Sequence, residues 1–403
     1  MTKKPELLAP AGNMEKLRIA IHYGADAVYL GGKAFGLRNM ADNFTTAELA
    51  EATCYAHDRG VKVYLTVNTY PDNGDLPALC RYLEKTVAIP FDACIAADPG
   101  VIQLVREITP ERPIHLSTQA NTTNWRSARF WQEQGVARIN LAREMSMDAM
   151  REVRKQVKME LEAFVHGAMC ISYSGRCLLS GIMAGRFANH GECAHPCRWS
   201  YALVEETRPG EYFPVVEDKS GTFIFNSKDL CLLHYLPELV GCGIDSLKIE
   251  GRMKGIHYLA SVVRVYREAL DRYYDDPAIF SSRPEWMDEL RKISHRGYTT
   301  GFFLGAPLDV DREFNSSYVR SHDIVGIVEE TRDGKTVIGI RNRLAAGDTV
   351  EFIGRGMSIF SHCLREMTDE QGTPLQVAHP NQRIMVDVPF STDQYDLVRR
   401  EKV

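Results

Sequence analysis

The sequence predicts an α/β protein: a closed (β/α)8 TIM-like barrel with a cysteine-rich insertion after its seventh strand, followed by a small C-terminal β-barrel domain. Three observations carry that prediction. Short apolar, β-branched segments alternate with stretches of helical periodicity through the first 250 residues. The seventh and eighth of these segments begin 85 residues apart, at Leu161 and Ser246, whereas the others begin 20 to 36 residues apart. After residue 300 helical spacing gives way to alternating segments punctuated by turn residues.

The strand segments begin at Glu6, Ala27, Val63, Cys94, Ile114, Arg138, Leu161 and Ser246. Between them, helical spacing runs from Met14 to Tyr23, Thr46 to His57, Leu76 to Val87, Val101 to Ile108 and Asp148 to Val157. Thr45, Pro99 and Ser146 stand where helix starts are expected. Eight strand–helix units in about 275 residues match a closed barrel, while an open doubly wound sheet usually has fewer strands and a glycine-rich nucleotide fingerprint. The barrel is therefore assigned to residues 1–300, with the insertion at about 168–222, and the small β-domain to 301–403. The insertion leaves the barrel at the C-terminal end of a strand, the face on which barrel enzymes do their chemistry.

Composition narrows the function classes. With 48 Lys+Arg against 53 Asp+Glu, the net charge of −5 gives no bulk attraction for nucleic acid, so an RNA partner must meet a local basic patch. Lys248, Arg252, Lys254, Arg264, Arg267 and Arg272 form one candidate, which reads equally as a solvated helix face. No apolar run reaches about 18 residues, and nothing apolar follows the lysines of Met1-Thr2-Lys3-Lys4-Pro5. A cytoplasmic protein without a membrane segment is expected. The sequence has no His-Glu-x-x-His, Gly-x-Ser-x-Gly or Walker motif, which removes support for a zinc-helix protease, a serine hydrolase or a P-loop NTPase.

The strongest chemical signal is Cys170-x6-Cys177-x15-Cys193-x3-Cys197: four of ten cysteines in 28 residues. Four thiolates can close a zinc tetrahedron or hold an iron–sulfur cube. The irregular spacing fits iron–sulfur better than zinc, with Cys231 as a substitute ligand. Other candidates converge on the barrel mouth. Alternation along strand five places His115, Ser117, Gln119 and Asn121 on one face, as an internal network or as substrate contacts. Arg143 and Glu144 end strand six, Glu162 and His166 lie on strand seven, and Lys248, Glu250 and Arg252 end strand eight. Such groups suit anion binding through arginine and proton transfer through a carboxylate or imidazole, and a buried ion-pair network is the plain alternative. Asn68 and Arg38 are weaker binding candidates.

From Glu162 to Ser180, through His166-Gly167-Ala168-Met169-Cys170 and Gly175-Arg176-Cys177, the chain resembles the peptidase U32 family of collagenase-like proteins. The likeness continues in Glu6-Leu7-Leu8-Ala9-Pro10-Ala11-Gly12, Asn226-Ser227-Lys228-Asp229-Leu230 and Ser246-Leu247-Lys248-Ile249-Glu250-Gly251-Arg252. Gly191 to Trp199 is most similar to the branch that takes part in tRNA hydroxylation. This resemblance implies an oxygen-independent, prephenate-dependent conversion of the wobble uridine of tRNA to 5-hydroxyuridine. It implies a 4Fe-4S cluster on Cys170, Cys177, Cys193 and Cys197, and tRNA, a small dicarboxylate and an electron donor as partners. Arg143 and Arg252 are the guanidiniums that suit a dicarboxylate. A collagenase-type peptidase and a zinc-stabilised RNA-binding scaffold are the alternatives.

Overall fold

The structure, a computed structural model, describes residues 3–35, 43–169, 228–305 and 320–402, together with short pieces between 177 and 223. Its first half is built from β1 (Glu6–Pro10), α1 (Met14–His22), β2 (Ala27–Leu30), α2 (Thr46–His57), β3 (Lys62–Thr66), α3 (Leu76–Thr86), β4 (Ala93–Ala96) and α4 (Pro99–Ile108). There follow β5 (Ile114–Leu116), α5 (Trp125–Glu133), β6 (Arg138–Asn140), α6 (Met147–Gln156) and β7 (Glu160–Ala168). Local chemistry starts these helices where expected. Thr45 and Glu48 form a reciprocal capping box, and Ser146 accepts from the Ala149 amide. At α4 the cap is the Asp98 side chain, with Pro99 as the first helical residue.

The described part of the insertion contains α7 (Leu179–Ala184) and two hairpins, β8 (Leu203–Val204) with β9 (Tyr212–Phe213), and β10 (Val216–Asp218) with β11 (Gly221–Phe223). The chain returns through β12 (Asp229–Cys231), α8 (Leu236–Gly241), β13 (Ser246–Ile249), α9 (Ile256–Asp275), α10 (Pro284–Lys292) and β14 (Tyr298–Thr299). Strands β1 to β7 pair in chain order, and β13 is hydrogen-bonded to both β7 and β1, which closes an eight-stranded parallel ring. β12 adds antiparallel to the end of β7, pairing Asp229 with Ala168 and Cys231 with His166. At this junction Gly167 takes a φ of 111°, and a side chain there would lie 2.5 Å from the Glu250 carbonyl oxygen.

The C-terminal domain is a six-stranded antiparallel sheet in the order β19 (Ile359–Cys363), β18 (Thr349–Ile353), β22 (Leu397–Glu401), β15 (His322–Arg332), β16 (Lys335–Ile340) and β21 (Arg383–Val386). A short pair, β17 (Leu344–Ala345) with β20 (Val377–Ala378), completes it. It has its own apolar core around Val325, Ile338, Phe352 and Ile384, while Ile327, Ile353 and Leu397 join the core of the barrel. Among the described residues no helix is long and apolar enough to cross a membrane.

Candidate active site

The lower interior of the barrel holds a closed ionic network. Glu6 and Arg138 enter from β1 and β6 and bond at 2.7 Å, the Tyr64 hydroxyl donates to Glu6 at 2.6 Å, and Arg138 reaches Glu162 at 3.3 Å. Lys248 donates to the other Glu162 oxygen at 2.7 Å and lies 4.6 Å from the Tyr29 ring centre. Burial pushes the Glu162 carboxyl up, but Lys248 and Arg138 outweigh it and hold it below the usual carboxylate range. His115 packs edge-on against Tyr64 at 4.7 Å, and burial together with Arg138 drives its imidazole well below its ordinary value. Of the residues expected at the rim, Glu162, Lys248 and His115 therefore lie within this interior layer. Each charge there is matched, so the layer reads as a buried ion-pair assembly.

The mouth gathers a different set. On one side Asn68 donates to Gln119 at 3.3 Å and to Ser117 at 3.5 Å, Ser117 bonds Gln119, and the Tyr70 hydroxyl donates to the Gln119 carbonyl at 2.7 Å. Strand five does not carry its alternation this far. β5 stops at Leu116, residues 118–120 form a 3-10 turn, and Asn121 takes a left-handed φ of 53° with its side-chain carboxamide donating to the Gln119 carbonyl. Ser117 and Gln119 still meet, through a turn rather than along one strand face.

Across the mouth, Arg143 stacks 4.1 Å from the centre of Phe164, lies 3.7 Å from Glu250, and donates to the Ala168 carbonyl at 3.3 Å. Arg252 comes from the loop after β13 and donates to Thr66 at 2.9 Å. A side chain on Gly31 would lie 2.7 Å from the Arg252 guanidinium, so the glycine makes room for it. Two largely buried guanidiniums on opposite sides of one opening form a frame for anionic groups. Glu144 is half-buried beside them, and burial raises its carboxyl.

His166 belongs to neither set. It packs among Tyr298, Tyr266 and Tyr258, with ring centres 5.4, 5.6 and 5.9 Å away, against α9 on the outside of the barrel. Burial lowers its imidazole to about 3. Cys231 shares this outer layer: its thiol lies 3.9 Å from the Tyr266 hydroxyl, and burial pushes it up to about 11. A metal ligand must be a thiolate, so this environment works against Cys231 as the substitute. The basic residues around α9 do not form one surface either. Arg264 is fully buried near Glu289, and Arg267 bonds Asp26.

Cys177 and Cys193 are half-buried at the start of the insertion, while Cys170, Cys197 and Arg38 lie outside the described residues. The Ala194 amide donates to Ser180 in α7 at 2.9 Å, so the chain at Cys193 is tied to the helix that Cys177 precedes. Two soft donors at one end of one short helix are chemically suited to a thiolate-bound metal centre. Sequence reasoning missed Glu6, Arg138, Asn140 and Phe164; the charges at Glu6 and Arg138 in otherwise apolar strands were the available signal.

A family model described as Peptidase family U32 matches residues 12–312, and one described as Peptidase family U32 C-terminal domain matches residues 320–399. The chain belongs to peptidase family U32. Among similar U32-type chains is the "tRNA hydroxylation protein P1" of Bacillus subtilis strain 168, 42% identical over 100% of this chain and 96% of the relative. The "tRNA hydroxylation protein P" of Escherichia coli strain K12 is 37% identical over 97% of this chain and 94% of that protein. A "Collagenase" of Porphyromonas gingivalis is 32% identical over 95% and 94%.

Proposed function

We propose that this U32-family chain is a tRNA-modifying enzyme that hydroxylates the wobble uridine to 5-hydroxyuridine without molecular oxygen, with prephenate as co-substrate. The observation that carries this reading is the end-to-end similarity to tRNA hydroxylation protein P1, 42% identical over the whole chain. The mouth supports it. Arg143 beside Phe164 of β7 and Arg252 at Thr66 of β3 bring two guanidiniums to the opening, which suits a dicarboxylate, and Phe164 supplies an apolar wall. Among the residues placed at the mouth, none is a cysteine or serine activated by a histidine, which an acyl-transfer peptidase needs. Tyr29, Tyr64 and the ionic layer seal the floor against water.

Cys170, Cys177, Cys193 and Cys197 would hold a 4Fe-4S cluster, with zinc as the alternative occupant. Such a cluster supplies electrons, through an external donor, or a Lewis-acidic iron. The protein's own groups bind and orient: the two guanidiniums hold carboxylates, and Glu250, 3.7 Å from Arg143, fixes one guanidinium in place.

Nucleoside analysis of tRNA from cells with and without the protein tests the reading. Loss of 5-hydroxyuridine on deletion, restored by the wild type and not by Cys177→Ser, is the expected result. Iron and acid-labile sulfide should accompany the anaerobically purified protein. Unchanged tRNA together with cleavage of denatured collagen by the pure protein would move the assignment to a peptidase, and zinc without iron would remove the cluster.

A further inference from the structure

Asn140 is the last residue of β6 and 2% exposed, yet neither its carboxamide oxygen nor its nitrogen has a hydrogen-bond partner. Its direction follows from its strand. Arg138, two residues earlier, points into the barrel, where it bonds Glu6 and Glu162, so alternation puts Asn140 on the same inner side one step nearer the mouth. Across the ladder Asn140 stands opposite Glu162, and the strand then runs on to Arg143 beside Phe164. The charged side chains of the neighbouring layer pair with one another, whereas the amide at its upper edge meets neither a donor nor an acceptor. A buried amide with both ends unmet is destabilising, so such a group persists where something else completes it.

We infer that the Asn140 carboxamide binds the base of the substrate, hydrogen-bonding the imide edge of a uracil ring drawn into the barrel mouth. The inference rests on the reading of this chain as a tRNA uridine hydroxylase and adds the residue that holds the base. The choice of ligand follows from the group's chemistry. An amide presents one donor and one acceptor side by side, which matches the N3–H and O4 of uracil. A carboxylate presents acceptors alone and would leave the amide oxygen unmet, and the mouth already offers Arg143 and Arg252 for carboxylates. A base on Asn140 would sit between Phe164 of β7 and Ser117, which follows β5 beside Asn140.

Asn140→Leu, nearly the same shape without polar atoms, is the decisive variant. Replacing an unmet buried amide with an apolar isostere should leave the melting temperature unchanged or raised. The second measurement compares binding of an anticodon stem-loop RNA carrying uridine at the wobble position with the same loop lacking that base. Wild type should prefer the uridine loop by about tenfold, roughly the worth of one two-point amide–base contact, and Asn140→Leu should bind both alike. Hydroxylation in cells should fall with it. A less stable variant would show that the amide serves the fold, through bound water, and would overturn the proposal. So would a variant that keeps the uridine preference. If wild-type protein shows no preference and deletion leaves tRNA unchanged, the hydroxylase reading fails and takes this inference with it; if Cys177→Ser abolishes hydroxylation while Asn140→Leu does not, the inference alone fails.

Discussion

Glu162 shows what a side chain inside a barrel answers to. It is 1% exposed and shared between Lys248 at 2.7 Å and Arg138 at 3.3 Å. Glu162→Gln would leave two buried cations short of one negative charge, and uncompensated buried charge costs about 3 kcal/mol or more. The urea midpoint should fall by that free energy divided by the denaturant slope, which itself should not change. The pH dependence has a definite sign. Glu162 and Glu6 are both held below the ordinary carboxyl value of 4.5, so the unfolded chain takes up these protons first as pH falls. Their contribution is complete above pH 4.5 and drains away below it, and Glu162→Gln should flatten that part of the stability profile. The sequence places Glu162 and Lys248 on strands seven and eight and expects them at the mouth, but their depth lies below it. Depth depends on the stagger between strands, set by pairings such as Ser246 with Glu162, and a single strand does not encode its neighbour's register.

At the scale of the element, the end of β7 decides the geometry of the mouth. Three strands meet there, because β7 pairs with β13 on one edge and with β12 on the other, past the end of β6, and the β13 register shifts between Lys248 and Ile249. Gly167 permits the crossing: its φ is 111° and the Glu250 carbonyl oxygen stands 2.5 Å from where a side-chain carbon would be. Gly167→Ala adds both a left-handed strain and a backbone clash, and a loss of about 1 to 3 kcal/mol is expected, read as a lower melting temperature. The change should also displace Glu250 and with it Arg143, so tRNA hydroxylation should fall more than stability accounts for. This element explains why His166 was misread. Regular alternation would aim it inward with Phe164, but the irregularity at Val165 to Gly167 turns it out towards Tyr266. The eight strands themselves were legible because each is a short apolar run bounded by helical spacing. The end of β5 was not, because Ser117-Thr118-Gln119-Ala120 is compatible with either strand or turn.

At the scale of the whole molecule, one buried ion pair clamps the β-domain to the barrel. Arg399 of β22 makes a two-point contact with Glu289 of α10 at 2.7 and 2.8 Å, Ser261 donates to Glu289 at 2.8 Å, and Arg399 also reaches Glu351 at 2.8 Å. Arg399 and Arg264 are fully buried, so Glu289→Gln leaves two guanidiniums without a full counter-charge at the junction. A cost of about 3 to 5 kcal/mol follows. The apolar contacts of Ile327, Ile353 and Leu397 remain, so the domains should stay docked at low temperature but part earlier on heating. All four tryptophans lie before residue 287, so tryptophan fluorescence follows the barrel, while calorimetry records both domains. Wild type should melt in one coincident transition. The variant should show an early calorimetric transition that fluorescence does not follow, and an unchanged, coincident melt would mean that the apolar contacts, with the His22–Asp396 and Tyr23–Ile353 bonds, suffice to join the domains. Acid should reach the same junction in two stages. His257, 3.3 Å from Arg399, is lowered to about 3 by burial and by that guanidinium, so it favours the fold above its ordinary 6.5 and loses that contribution as pH falls below it. For Glu289, burial raises the carboxyl but Arg399 outweighs it and brings it to about 2, so its contribution declines only below 4.5. The early transition should therefore emerge in wild-type protein between pH 6.5 and 4.5, and His257→Gln should weaken it there, with His322, also lowered by burial beside Glu351, keeping the remainder until Glu289 begins to titrate.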